Sequence, residues 1–141
     1  MQTSGKKRLV WQFLRRHKLG VLATRGRQGP EAAIVDFSET AKLEILVTTM
    51  AQYRKYKNLL ASPRVAFVVG GEENITLQYE GVAQELTPQA FKKYAAWHLK
   101  KNPVEAKFAA MPAARFFRLR PVWARYSDFT RKPNQIFEIK F

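Results

Sequence analysis

The stretch Leu46–Val69, LVTTMAQYRKYKNLLASPRVAFVV, determines the fold expected for this chain. Its ends belong to two apolar runs rich in β-branched residues, Leu43–Thr48 and Val65–Val69, which are typical of strands. Between them, Arg54 and Lys55 open a polar segment that a Ser-Pro pair ends, so the order is strand, turn, short helix and strand. Cations in the first turn of a helix favour phosphate binding, because the free backbone N–H groups point the same way. The stretch therefore predicts a strand–helix–strand unit, and its local pattern leaves two interpretations of the cationic helix start open: a solvated charged face or an anion site.

The composition is that of one folded domain over residues 1–141. Hydrophobic residues make up 46% and aromatic residues 13%, which argues against disorder. The chain has no cysteine, so disulfides and thiolate metal sites are excluded. No apolar run approaches the roughly 20 residues that cross a bilayer, and the N-terminal MQTSGKKRLVWQFLRR lacks the apolar centre of a signal peptide. We therefore expect a cytoplasmic protein with no membrane partner.

A strong positive charge is the second feature of the sequence. The chain has 25 Lys and Arg residues against 11 Asp and Glu residues, and its net charge of +14 favours anionic partners. The cations are spread over the whole chain, and no zinc-ligand, helix-turn-helix or paired stacking motif accompanies them. A phosphorylated cofactor or substrate suits this dispersed charge, and nucleic acid is not the expected partner.

Apolar runs and turn signals predict seven strands. Their ranges are Val21–Thr24, Ala32–Phe37, Leu43–Thr48, Val65–Val69, Ile75–Leu86, Arg115–Tyr126 and Ile136–Phe141. Glycine-containing turns separate several of them, which favours antiparallel hairpins.

Helices are expected at the periphery of this sheet. Lys6–Arg16 is amphipathic and is followed by Gly20 as a stop. Thr87 is placed to cap a helix that runs to about Lys101, and Asn102–Glu105 has the form of a capping box for a further helix. The fold class predicted is mainly β with α: a split β-barrel of six to seven antiparallel strands and about three peripheral helices.

Motifs for catalysis by the side chains alone are almost absent. The two histidines, His17 and His98, have no neighbouring nucleophile pattern, and we expect His98 to be a partly exposed surface residue. Neither a metal-ligand spacing nor a glycine-rich phosphate loop occurs. Any redox activity therefore needs a bound cofactor.

The central stretch resembles a known family motif. Thr49, the pair Arg54-Lys55, the string Lys57-Asn58-Leu59 and the segment Ser62–Val65 together resemble the central motif of the pyridoxamine 5'-phosphate oxidase-like, FMN-binding split-barrel family. The resemblance extends from the first helix to the last strand in the order of the elements. It implies a homodimer with FMN in the clefts between two barrels.

The resemblance also assigns roles to individual residues. It implies that Val47, Thr48 and Thr49 line the flavin ring and that Arg54 and Lys55 hold the phosphate. It further implies cofactor contacts from a residue of the predicted short helix and from a strand of the partner subunit, and an aromatic residue near the C-terminus is a separate candidate to stack on the flavin or substrate. These further candidates are Lys57, Thr76, Gln78 and Trp123. Lys57 belongs to a string similar to that of relatives that use a deazaflavin cofactor.

The C-terminal part resembles the family less closely. Arg118–Tyr126 is similar to the family's Arg-Leu-x-Pro strand, but the segment that grips the substrate phosphate in true pyridoxamine phosphate oxidases is replaced by Ser127–Pro133. The resemblance therefore implies an FMN-dependent oxidoreductase with a different small or anionic substrate. Three alternatives stay open: a deazaflavin-dependent reductase, a non-catalytic flavin-binding or sensor protein, and a basic protein associated with nucleic acid.

Overall fold

The computed structural model describes residues 1–141 as a single curled sheet with helices at its ends and edges. The elements are, in chain order, α1 (Thr3–Arg15), β1 (Leu19–Gly26), β2 (Gly29–Asp36), β3 (Ser38–Glu39), β4 (Ile45–Met50), α2 (Arg54–Ala61), β5 (Arg64–Gly70), β6 (Ile75–Leu86), α3 (Pro88–Lys101), a 3₁₀ turn (Pro103–Glu105), α4 (Ala106–Ala109), β7 (Ala114–Asp128) and β8 (Gln135–Lys140). None of the helices combines the length and the apolar character that a membrane-spanning segment requires.

The sheet is antiparallel throughout and has the strand order β2-β1-β5-β6-β7-β4-β3, with β8 paired to β7. It curls until β2, at one end of this order, contacts β4 near the other end. The predicted split β-barrel with peripheral helices is therefore confirmed. The contact between β2 and β4 also creates the cleft described below.

The interior of the half-barrel is packed with large apolar side chains. Phe37, Phe67 and Tyr79 are fully buried there, and the Phe67 ring meets the other two edge to face. The Tyr79 hydroxyl lies 2.9 Å from the Leu43 carbonyl oxygen and 3.0 Å from that of Leu119, so its one polar atom is satisfied. Helix α1 closes one end of the barrel with a buried apolar stripe.

Strand β4 is largely buried on both faces, which explains the apolar run Ile45–Val47 at its start. Val47 points into the barrel, whereas Leu46 and Met50 belong to a second cluster beneath α3. In that cluster Phe91 and Phe116 stack with their ring centroids 3.8 Å apart. A strand covered on both sides has no polar face, so the alternation expected of a half-exposed strand is lost.

Several element ends differ from those predicted. The third predicted strand starts later, at Ile45, because Leu43 adopts a left-handed turn with φ of 64°. Gly20, predicted to end the first helix, lies within β1, where a Cβ would collide with the ring of Phe67. The two-residue strand β3 was not expected, since so short a segment has no detectable period.

One predicted helix cap is confirmed and one is wrong. The Thr87 hydroxyl accepts a hydrogen bond of 3.1 Å from the Ala90 N–H, as an N-cap should. Asn102 makes no cap: its amide donates to the carbonyl oxygens of Phe37 and His98 at 3.0 and 3.2 Å. The capping box fails because Asn102 and its expected partner are both buried and bound to residues distant in sequence.

Candidate functional site

The candidate site is a cleft where β2, β4 and the beginning of α2 meet. Its outer pocket, of about 510 Å³, is lined by residues of β1 and β2 and by Gln52–Lys55. Its inner pocket, of about 250 Å³, is lined by Ile34–Asp36, Thr48–Met50 and the buried Glu105. Both pockets share Tyr53 and Lys55. The cleft is therefore one continuous space with a basic outer part and an inner part that combines apolar side chains with two carboxyl groups.

The helix that borders the outer pocket begins there for a local reason. The chain turns directly after β4, where the Tyr53 N–H donates to the Met50 carbonyl oxygen at 3.0 Å. No side chain caps the N-terminus of α2, and no acidic residue lies in its first turn. Its first N–H groups therefore keep their capacity to bind an anion, next to the charges of Arg54 and Lys55.

Arg54 is held at the rim of the outer pocket by an acidic residue. Its Nε lies 3.0 Å from Glu31 Oε1, and the same oxygen accepts a 2.8 Å hydrogen bond from Asn58 Nδ2. Asn58 also donates to Thr24 Oγ1 at 3.1 Å. These contacts join α2 to β1 and β2. The Arg54 side chain is 73% exposed, which leaves the rest of its guanidinium free to meet a ligand.

Lys55 lies at the junction of the two pockets. Its ammonium group is 5.2 Å from the centre of the Tyr53 ring, and no carboxylate is within 4 Å of it. Burial, and secondarily the charge of Arg54, lower the pKa of Lys55 below its ordinary value. An anion bound between the two side chains would offset the repulsion between them and compensate the buried charge of Lys55. Lys55 is therefore the residue best placed to hold a phosphate.

The three candidates on β4 have different surroundings. Thr48 and Thr49 line the inner pocket, but Val47 is packed in the barrel core and lines neither pocket. The Thr48 hydroxyl donates to a carboxylate oxygen of Glu105. Thr49 is 7% exposed, and its hydroxyl has no hydrogen-bond partner in the protein. A buried polar atom without a partner indicates that something else binds there.

A buried polar network that the sequence did not suggest reaches the inner pocket. His98, expected at the surface, is completely buried, and that expectation is wrong. Its Nδ1 lies 2.5 Å from Ser38 Oγ and its Nε2 lies 2.9 Å from Glu105 Oε2. His98 follows Phe91 by seven residues, the spacing of a single helix face, so the stripe of α3 was the signal that could have located it.

Asp36 adds a second carboxyl group to the inner pocket. Its own burial is the main cause that raises the pKa of Asp36, and the negative charge of Glu105 adds to it. His98 and Lys18 act in the opposite direction. Two neighbouring carboxyl groups in a restricted space resist being ionised together, so the inner pocket is a place where a proton can be held.

Three other candidates lie away from the cleft of their own chain. Thr76, Gln78 and Trp123 line neither pocket and lie on the outward face of β6 and β7. Gln78 is exposed and lies directly opposite Val68 on β5. The Arg125 guanidinium lies 5.5 Å from the centre of the Trp123 ring. The cofactor contacts implied for these residues stay predictions that depend on a partner subunit.

Lys57 lies in a basic groove that adjoins the outer pocket. The groove shares Glu31 and Arg54 with that pocket. Its other cations come from the β1–β2 hairpin and α2, and they are Arg25, Arg27 and Lys57. The groove therefore extends the basic surface beyond the space that a single phosphate would fill.

Solved structures with the same fold are numerous. The chain is similar to a heme binding protein from Mycobacterium smegmatis, with a TM-score of 0.79 and 15% identity, over 99% of this chain and 59% of that one. It is similar to ChuZ from Campylobacter jejuni, with a TM-score of 0.76 and 16% identity, over 99% of this chain and 61% of that one. The General Stress Protein 26 from Bacillus anthracis gives a TM-score of 0.70 at 18% identity, over 95% and 98% of the two chains. At such low identity these similarities show the fold alone.

Sequence comparison identifies the family. The chain spans about three fifths of the first two of these structures and nearly the whole of the third. None of the curated proteins matches this sequence significantly. The family model described as pyridoxamine 5'-phosphate oxidase matches residues 8–128, which include every strand except β8 and the whole cleft. The chain belongs to the pyridoxamine 5'-phosphate oxidase family.

Proposed function

We propose that this protein binds FMN in the cleft and acts as a flavin-dependent oxidoreductase on a small or anionic substrate. The observation that carries the proposal is Lys55, a partly buried cation without a carboxylate partner at the junction of the two pockets. Beside it are the uncapped start of α2 and the guanidinium of Arg54. This donor set suits a phosphate monoester, because each group supplies a charge-assisted hydrogen bond.

The inner pocket suits the flavin ring. It combines apolar walls with hydroxyl and carboxyl groups, and the unpartnered Thr49 hydroxyl needs a ligand atom to bond to. An isoalloxazine ring offers both hydrogen-bond acceptors and a donor at its edge. When bound, FMN supplies hydride transfer; the protein holds the phosphate, orients the ring and keeps water from it.

We propose that a second copy of the chain completes the site. Ile34, which is 70% exposed and lines the inner pocket, lies opposite Val21, and Val21 lies opposite Val68. Opposed residues in a sheet point to the same side, so these three side chains form one exposed apolar row. The next residue in the row is Gln78. A partner that covers the row would come close to the inner pocket.

A parallel row beside it begins with three small side chains. Ala32, Ala23 and Ala66 lie opposite one another on β2, β1 and β5, and Glu80 and Trp123 continue the row on β6 and β7. Small side chains allow the backbone of a partner to approach closely. The two rows together support the proposed homodimer, in which Thr76, Gln78 and Trp123 would approach the flavin across the interface.

A deazaflavin cofactor with an anionic extension is the second candidate. The groove of Arg25, Arg27 and Lys57 is continuous with the outer pocket through Arg54 and Glu31. FMN has one phosphate and leaves this groove without an anionic partner. A cofactor with several negative groups would use both places, which is why the groove favours it as the alternative.

The remaining alternatives have less support from the structure. A heme ligand needs an axial side chain, but His98 is enclosed and His17 bonds through Nδ1 to the Phe13 carbonyl oxygen at 2.8 Å. Neither histidine lines the cleft. A flavin-carrying sensor and a nucleic-acid-associated protein stay open as non-catalytic alternatives. The cytoplasmic location expected from the sequence also stays a prediction.

The absorbance spectrum of the purified protein, followed by mass spectrometry of the released ligand, tests these candidates. Flavin bands and the mass of FMN would support the main proposal. A deazaflavin mass would select the second candidate, and a heme spectrum would contradict both. If the protein is colourless and added FMN does not bind, the flavin proposal is wrong. Turnover of the reduced, FMN-loaded protein with electron acceptors would then separate an enzyme from a carrier.

A further inference from the structure

Four side chains from four parts of the fold form a chain of polar contacts that ends at the inner pocket. Ser38 comes from β3, Thr48 from β4, His98 from α3 and Glu105 from the 3₁₀ turn. The Ser38 hydroxyl contacts one ring nitrogen of His98 at 2.5 Å, and the other ring nitrogen lies 2.9 Å from Glu105. Thr48 donates to the second oxygen of Glu105.

This chain is enclosed almost completely. His98 and Ser38 are inaccessible to solvent, and Glu105 is 4% exposed. An isolated charge at such a place is costly, so His98 and Glu105 are placed where each offsets the cost of burying the other. The arrangement is not that of a hydrolase, because Ser38 lines neither pocket and cannot reach a substrate as a nucleophile.

The open end of the chain is the carboxyl group of Glu105, which lines the inner pocket with Asp36. The Glu105 Oε2 and His98 Nε2 atoms are at ion-pair distance but are not aligned as a hydrogen bond. Glu105 therefore stands at the wall of the inner pocket with one oxygen bonded to Thr48 and the other facing His98. The Thr49 hydroxyl in the same pocket is also buried and has no hydrogen-bond partner in the protein.

We propose that Glu105 is the proton-holding residue of the inner pocket and that His98 is its positioning residue. His98, fixed by Ser38, sets the orientation of the carboxyl group through the 2.9 Å contact between its Nε2 and Glu105 Oε2. This inference rests on the proposed function, because the ligand of the pocket is then the flavin. It adds that the ligand binds together with a proton.

The direction of the effect follows from the groups around Glu105. A ligand that fills the pocket displaces water from Glu105 and Asp36, which makes their charged forms less favourable and raises their affinity for a proton. Lys55 on α2 and Lys18 near Asp36 oppose this change. Ligand binding should therefore take up about one proton. In the pH interval in which the complex holds this proton and the free protein does not, the affinity should fall about tenfold for each unit by which the pH rises.

The first test needs no ligand. The chain has two histidines, so in protein labelled at histidine with ¹⁵N the ring signals of His98 can be followed against those of His17. In Glu105→Gln the His98 titration curve should move to lower pH, while His17 is unchanged. Thermal unfolding shows whether Glu105→Gln keeps its fold. If it does not, Thr48→Val is measured in its place. An unchanged His98 titration in a folded variant would overturn the proposal.

The second test measures proton uptake when FMN binds. Calorimetric titrations in buffers of different ionisation enthalpy should show about one proton taken up by the wild type and almost none by Glu105→Gln. Glu72→Gln, in the exposed turn before β6, is the matched control and should behave as the wild type. Equal uptake in all three proteins would overturn the proposal. If FMN does not bind the wild type, the proposed function has failed, and the histidine titration alone decides this inference.

Discussion

At the scale of single residues, two neighbouring cations have different roles. Arg54 is mostly exposed and already paired with Glu31, whereas Lys55 is partly buried and has no carboxylate partner. The exposed ion pair with Glu31 contributes little to stability. It sets the position of the Arg54 side chain, and most of the guanidinium stays open to an anionic ligand. Lys55 keeps its full capacity for an anionic ligand. The loss of Lys55 should therefore affect the cofactor more than the fold.

We predict that Lys55→Ala weakens FMN binding by one to two powers of ten, since a charge-assisted hydrogen bond contributes about 1.5–3 kcal/mol. Riboflavin has no phosphate and should lose much less affinity. Quenching of flavin fluorescence measures both constants. Lys140→Ala, at an exposed position of β8, is the control. An equal loss of affinity for FMN and riboflavin would show that Lys55 does not bind the phosphate.

At the scale of elements, the position of α2 depends on one side chain. Asn58 joins the helix to β1 through Thr24 and to β2 through Glu31, with hydrogen bonds of 3.1 and 2.8 Å. These contacts hold the start of α2 against the outer pocket. The Asn in the family string is therefore a structural residue here, and its neighbours Arg54 and Lys55 carry the charge.

Asn58→Ala should lower the free energy of unfolding by about 1–3 kcal/mol, because Thr24 loses this donor and the partly buried Glu31 keeps only Arg54. Urea denaturation measures the change as a lower midpoint at an unaltered slope. Asn134→Ala, in the exposed loop before β8, should have almost no effect. A stability equal to that of the wild type would mean that α2 is held by its apolar contacts alone.

At the scale of the whole molecule, an apolar surface and a large positive charge need an explanation. The exposed row of Ile34, Val21 and Val68 is central to three strands of the sheet and borders the inner pocket. The Lys and Arg residues behind the net charge of +14 are distributed over all four helices, four of the eight strands and several loops. We assign the first feature to a partner subunit and the second to attraction of anionic ligands.

Light scattering should give about twice the chain mass of 16.3 kDa at low and at high salt. Val21→Glu places a carboxylate in the exposed apolar row of each subunit and should yield monomers that bind FMN weakly. Leu60→Glu, at an exposed site on α2, should stay dimeric. A wild type that is monomeric at micromolar concentration would contradict the interface and the partner contacts from Gln78.

A competition between duplex DNA and FMN tests the role of the charge. At about 150 mM salt the Debye length is about 8 Å, so diffuse attraction is largely screened. We expect weak DNA binding that disappears with salt while FMN stays bound. Submicromolar affinity for DNA at this salt, with displacement of the flavin and a steep slope of about −0.9 per neutralised phosphate, would instead support the nucleic-acid alternative.

The sequence by itself determined the sheet, the helix between β4 and β5 and the cationic start of that helix. These features depend on local patterns: an apolar run, a Ser-Pro stop and two adjacent cations are visible in a few consecutive residues. The wrong predictions have the same cause, because they too rest on a few consecutive residues. Asn102–Glu105 has the form of a capping box, but a local pattern contains no information on distant partners such as Phe37 and Thr48.

Only the tertiary structure decided which side chains share the cleft. Ser38, Thr48, His98 and Glu105 are far apart in the sequence, and the curl of the sheet and the packing of α3 on β4 bring them together. Val47 and Thr49 have similar positions in one strand, yet one is in the core and the other faces the inner pocket. Burial and partners are properties of the whole fold, because they depend on which elements cover a residue.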